Sequence, residues 1–128
     1  MNSNLLSLYI VSGMLGIMLF FTVAVAPTVF KVLPQEWSSK YVRAFFPKYY
    51  IFLGLFTCLA AFLVEGYVNT ILLVFCAALF LLSLVVLTPA INRAADSGNK
   101  KYFGLLHGSS VIINLLQFVI FIYVLLYE

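Results

Sequence analysis

His107, Ser110, Asn114 and Gln117 stand at intervals of three, four and three within the apolar run from Tyr102 to Tyr127. At about 100° per residue they share about 80° of helical arc, a polar stripe about 15 Å long. Polar side chains at membrane depth face a bundle interior or a water-filled cavity, so the stripe reads as a ligand site or as a proton or ion path. The alternative is interhelical hydrogen bonding, worth about 0.6 kcal/mol per bond. A second set is softer: Met14 and Met18 lie one turn apart, and Cys58 and Cys76 lie midway along other apolar runs. Thioether and thiolate suit copper, and a methionine with His107, the only histidine, would make a haem axial pair. No ligand spacing joins these residues, and Met and Cys pack as ordinary core residues. No metal and no cofactor is therefore expected, with haem or copper handling as the alternative function. The acids are Glu36, Glu65, Asp96 and Glu128, no two adjacent, and the chain has neither a glycine-rich phosphate loop nor a nucleophile elbow. The expectation leans away from an enzyme.

The elements that must hold these residues are membrane spans. Of 128 residues 65% are hydrophobic and 9% charged, far from the quarter charged of soluble domains. A helical span needs about 20 apolar residues to cross about 30 Å of hydrocarbon. Four runs qualify, at about 5–30, 48–66, 69–92 and 102–127. The stretch ILLVFCAALFLLSLVVL does not alternate in polarity, which argues against barrel strands. The fold class expected is an all-α membrane protein, a single-domain bundle of four transmembrane helices over 1–128. Gly13 and Gly16 share a face of the first span that would let a neighbouring helix approach closely. Pro27 would loosen the first helix as it leaves the membrane, and Pro34 would end it. Between Gln35 and Phe46, Trp37, Tyr41, Ala44 and Phe45 gather on one helical face opposite Glu36, Ser39, Lys40 and Arg43. This pattern predicts a short interfacial amphipathic helix after span one, with Pro47 in the first turn of the second span.

The basic residues fix orientation. Lys31, Lys40, Arg43 and Lys48 lie between spans one and two, and Arg93, Lys100 and Lys101 between spans three and four. Both connections emerge on the same side, which the positive-inside rule makes cytoplasmic. The expected location is a bacterial-type inner (plasma) membrane, multi-pass, with both termini outside. These basic side chains, with Trp37 and Tyr41, meet lipid headgroups; membrane lipid is the expected partner, nucleic acid is not, and a homodimer or larger membrane complex is compatible with so small a bundle. The helix-exit prolines Pro27 and Pro89 also anchor an internal echo. Ala26-Pro27-Thr28-Val29-Phe30-Lys31 resembles Thr88-Pro89-Ala90-Ile91-Asn92-Arg93, 62 positions on. Two such hairpins would form a parallel 2+2 helix repeat.

The segments GIMLFFTVAVAPTVFKVLP, FFPKYY, TPAIN and YFGLLHGSSVIINLL occur in an order and spacing that resemble the transmembrane-protein-205-like family, small four-span proteins first grouped as a domain of unknown function. The resemblance covers nearly the whole chain and implies a membrane bundle without an established activity. More distantly the chain is similar to copper-resistance-protein-D-like and membrane protoporphyrinogen-oxidase-like four-span proteins. Those use intramembrane histidines for copper or haem, and here only His107 would stand in.

Overall fold

The computed structural model describes residues 2–127. Four long helices account for nearly all of them: α1 (Ser3–Val32), α2 (Gln35–Leu63), α3 (Tyr67–Asp96) and α4 (Lys100–Leu126), each long and apolar enough to cross a membrane. At 1.5 Å per residue, 27 to 30 residues span about 40–45 Å, so each helix traverses the hydrocarbon and reaches the headgroup layer. The connections are short. Leu33 precedes Pro34, whose ring disfavours helical backbone at the residue before it, and both are extended (ψ 141° and 152°). Gly66 (φ +93°) turns the chain between α2 and α3, and Gly98 (φ +71°) between α3 and α4; both conformations are ones that side-chain-bearing residues avoid.

α1 packs against α2 and α4, and α3 packs against the same two helices, while neither diagonal pair meets at the backbone. The inward seams follow a spacing of three and four. On α1 they are Asn4, Ser7, Val11, Met14 and Met18; on α3 they are Asn69, Leu73, Cys76, Phe80 and Ser83. This is the periodicity of knobs-into-holes packing.

The internal echo extends into three dimensions. Ser7, Val11, Met14 and Met18 are buried, and so are Asn69, Leu73, Cys76 and Phe80, each 62 positions later. On the second helix of each hairpin, Tyr50, Thr57, Ala60, Ala61 and Val64 are buried and match buried Ser110, Gln117, Ile120, Phe121 and Val124, each 60 positions later. The stretch between the matched inward positions, Met18 to Tyr50 and Phe80 to Ser110, is thus two residues shorter in the second hairpin. A ring in which α1 and α3 exchange along with α2 and α4 is the parallel 2+2 arrangement.

The prolines have a shared structural solution. A proline inside a helix cannot donate and its ring crowds the carbonyl four residues back. α1 widens into a π-helical turn at Phe21–Val25 just before Pro27, and α3 widens at Ser83–Leu87 just before Pro89. The N–H of Ala26 donates to the Phe21 carbonyl and that of Thr88 to the Ser83 carbonyl, five residues back in each case. Neither helix breaks.

Two expectations need correction here. Residues 35–46 are helical, but they are not a separate element from span two: α2 continues through Pro47 without interruption. Aromatic packing supports the junction, since Phe21 of α1 stacks on Phe45 (centroids 4.9 Å apart) and sits at 5.5 Å from Phe46 and 4.9 Å from Tyr49. Contacts of this kind offset one missing helical hydrogen bond. Gly13 and Gly16, expected at a close helix contact, lie on the outer surface of α1, and a Cβ at either would meet nothing. The 3-4 seam through Val11 and Met14, not the glycines, faces the neighbours.

Candidate functional site

The interior of the bundle holds a small number of polar groups, and most bond to backbone. Near the end that carries the chain termini, Ser7 Oγ donates to the Ala60 carbonyl (2.8 Å), joining α1 to α2. Asn4 Oδ1 accepts the Glu65 N–H (2.8 Å) and fastens the turn between α2 and α3. Midway along, Thr57 Oγ1 donates to the Leu53 carbonyl (2.6 Å) and lies 3.2 Å from Met14 Sδ. Gln117 Nε2 donates to the Cys76 carbonyl (3.1 Å), joining α4 to α3. These last two contacts occupy corresponding places in the two hairpins, Thr57 beside Met14 and Gln117 beside Cys76. Each ties the second helix of a hairpin to the first.

The stripe on α4 divides. Ser110 is buried and Gln117 fully so, while Asn114 is half-buried and its side chain adjoins the Tyr50 hydroxyl of α2. His107 does not join them. It is exposed on the outer face of α4, stacked parallel to Phe103 with centroids 5.9 Å apart. Helical phase explains the split: Gln117 points to the bundle centre, and His107 is about 80° away from it on the helical wheel. The buried sector of α4 runs from Ile120 to Phe121, about 60° to one side of Gln117 and about 40° to the other, and His107 falls beyond its second edge.

The inward part of the stripe has an uneven hydrogen-bond balance. Ser110 Oγ donates to the His107 carbonyl (2.7 Å) and Ser109 Oγ to the Leu105 carbonyl (2.9 Å), so both hydroxyl protons stay within α4. The Asn114 Oδ1 and Gln117 Oε1 atoms are buried and have no protein donor. Buried polar atoms are satisfied in the great majority of cases, so these two oxygens, one turn apart on α4, are exceptions. Both keep open acceptor capacity.

The soft donors are partly collected. Met14, Met18 and Cys76 belong to one buried core, whereas Cys58 is exposed on the outer surface of α2. Cys58 lines a shallow apolar hollow with Ala61, Phe62, Val74 and Ala77 and cannot contribute to an interior ligand set. Among the described residues no three of His, Cys, Asp and Glu are grouped to hold a metal ion.

The charged end is organised separately. Arg43 Nη1 and Nη2 donate to Asp96 Oδ2 and Oδ1 (3.2 and 2.5 Å), tying the start of α2 to the end of α3. The hydrogen bond from the guanidinium holds the Asp96 carboxyl below its ordinary range, and Asp96 in turn raises the pKa of Arg43. Lys40 pairs with Glu36 (3.2 Å) and lies over the Trp37 ring at 4.6 Å. Among the described residues Lys31, Lys48, Arg93, Lys100 and Lys101 form no ion pair. Trp37 and Tyr41 are exposed there, as a headgroup contact requires.

Among the interior residues that sequence reasoning missed are Tyr50, Thr57 and Ser83. A signal was present for two of them. Thr57 and Ser83 are hydroxyl residues at the three-four spacing of otherwise apolar seams, which in hydrocarbon marks an inward face. Comparison with curated proteins and with solved structures gives no match. The model of the family described as "Domain of unknown function (DUF4149)" matches residues 9–100, from the second turn of α1 to the first residue of α4, and the chain belongs to that family.

Proposed function

We propose that this protein is a non-enzymatic inner-membrane bundle, a small transport or accessory subunit akin to the transmembrane-protein-205-like proteins, in which the inward stripe Ser110, Asn114 and Gln117 is the working part. One observation carries the reading. Two adjacent amide oxygens, Asn114 Oδ1 and Gln117 Oε1, are buried without a protein donor along a membrane-spanning helix. An unsatisfied buried acceptor costs about 1–3 kcal/mol, a cost that structural packing alone gives no reason to retain, and this favours transport over a purely accessory role. Both termini lie outside and the basic connections lie in the cytoplasm, because seven lysines and arginines flank one end of the bundle and none flanks the other.

The experiment is a permeability comparison. Wild-type protein and the Asn114→Leu/Gln117→Leu double variant are reconstituted in liposomes at equal density, and shrinkage and reswelling are followed by light scattering after osmotic steps with small neutral solutes. Faster solute or water entry with wild type than with the variant is expected. Equal rates, with both proteins correctly inserted, would discard transport and leave the accessory role. A reporter fused after the C-terminus is expected to be active only when it functions outside the cytoplasm.

A further inference from the structure

The two hairpins share a backbone plan but fill it differently at the basic end. In the first, the π-helical turn of α1 carries Phe21, which is enclosed by Phe45, Phe46 and Tyr49 of α2. In the second, the position matching Phe21 is Ser83, and those matching Phe45, Phe46, Tyr49 and Tyr50 are Leu105, Leu106, Ser109 and Ser110. An aromatic plug in one half is thus replaced by two leucines and three serines in the other. The π-helical turn that bears Ser83 packs directly against both α2 and α4, and Ser83 itself is 1% exposed. The next inward residues of α4 on this side are Asn114 and Gln117.

The chemistry of this place restricts what it can receive. The Ser109 and Ser110 protons are committed to carbonyls of α4, and Gln117 Nε2 donates to the Cys76 carbonyl. The buried Asn114 and Gln117 side-chain oxygens keep open lone pairs, which call for a donor. Among the described residues no carboxylate faces the site: Glu36 and Asp96 are exposed at the basic end, and Glu65 is exposed at the turn between α2 and α3. A desolvated cation without a countercharge costs several kcal/mol, which removes ammonium and metal ions from consideration. Resting on the transport reading above and deepening it, we propose that Asn114 and Gln117 form an acceptor site for a small uncharged hydrogen-bond donor, a water molecule or the N–H or O–H group of a neutral solute of similar size. A water molecule carries a proton for each of the two acceptors; a neutral amide or alcohol offers one or two.

The site is tested on wild-type protein in lipid nanodiscs with ¹⁵N-labelled Asn and Gln side chains, assigned through their backbone resonances. Magnetisation transfer from water to the side-chain NH₂ groups is measured, first alone and then with urea or glycerol added. Water transfer to Asn114 and Gln117 is expected at a depth where neighbouring Phe80 and Phe121 protons receive none. Transfer that persists unchanged with solute identifies water as the occupant. Transfer lost together with a shift of the two NH₂ resonances identifies a neutral solute. Amides that receive no magnetisation from water and do not shift with either solute overturn the proposal. This outcome is separable from that of the permeability assay. Hydrated amides with no flux retain the site and discard transport, while dry amides with measurable flux retain transport and discard the site.

Discussion

Replacement of Gln117 by leucine tests the interior site through the sign of a free-energy change. Gln117 is fully buried, and its Nε2 makes one bond, 3.1 Å long, to the Cys76 carbonyl across the α3–α4 contact. That carbonyl sits inside α3 and keeps its own helical bond when the glutamine is lost. If Oε1 were merely unsatisfied, leucine of similar volume would remove a cost of about 1–3 kcal/mol. Against this stands the loss of one interhelical bond of about 0.6 kcal/mol, so the variant would be more stable by about 0.5–2 kcal/mol. If a donor occupies the site, the bond to Cys76 and the bond to the occupant both disappear, and the space must close around a side chain that accepts nothing. The expected result is then destabilisation by about 1–2 kcal/mol. Unfolding in bicelles by steric trapping, at fixed lipid composition, resolves changes of this size. Thr57→Val at the corresponding place in the first hairpin is the control, since the Thr57 hydroxyl is satisfied within its own helix and its removal should change stability by less than about 0.6 kcal/mol. A Gln117→Leu variant more stable than wild type would refute the occupied-acceptor reasoning.

Other perturbations probe the frame around the site. Phe121 is fully buried beside Phe80, with centroids 6.3 Å apart, and Phe121→Ala should cost about 3–5 kcal/mol in the same assay. Gly66 has φ +93° with open space around it, so Gly66→Ala should cost about 1–2 kcal/mol from backbone conformation alone, without any clash. The Arg43–Asp96 pair gives a pH dependence of known sign. Because the folded Asp96 carboxyl titrates below its unfolded value, the stability it adds is present above the ordinary carboxylate pKa of about 3.9 and is lost as pH falls through the folded value. The difference between wild type and Asp96→Asn should therefore be level from neutrality to about pH 5 and then shrink on acidification. Raised salt should diminish that difference at every pH, because the pair is exposed to solvent.

The four spans and their connections were legible because a bilayer imposes length and apolarity on every crossing helix. Which face of each helix turns inward was much harder to read. In soluble helices an apolar stripe marks the core, but here lipid-facing Leu19, Phe20, Leu55 and Phe62 are as apolar as the buried Val11, Leu53 and Leu73. The useful markers are the few polar residues at three-four spacing, and Ser110, Asn114 and Gln117 were found by that means. His107 was carried along because it lies at the edge of the same sector, and only the position of α4 relative to its neighbours shows that the edge is outside. Gly13 and Gly16 misled for a related reason. A small residue permits close approach, but it does not supply the neighbour. The unbroken course of α2 through Pro47 was hidden because the stabilising partner, Phe21, is 26 positions away on another helix.

The matched π-helical turns connect the repeat to the site. Each proline would leave a strained or broken helix if the turn before it were an ordinary α-helical one. Widening that turn relieves the proline and also moves the carbonyls and side chains of five residues away from the regular helical lattice. In α1 the turn carries Phe21, whose ring packs on Phe45, Phe46 and Tyr49 and joins α1 to α2. In α3 the same backbone device bears Ser83 and packs against α4, the helix that carries Ser110, Asn114 and Gln117. A duplicated plan explains why the widened turn is present twice. The difference in filling accounts for the acceptors left over in the second copy, and on the proposed reading the structural role falls to the first hairpin and solute recognition to the second.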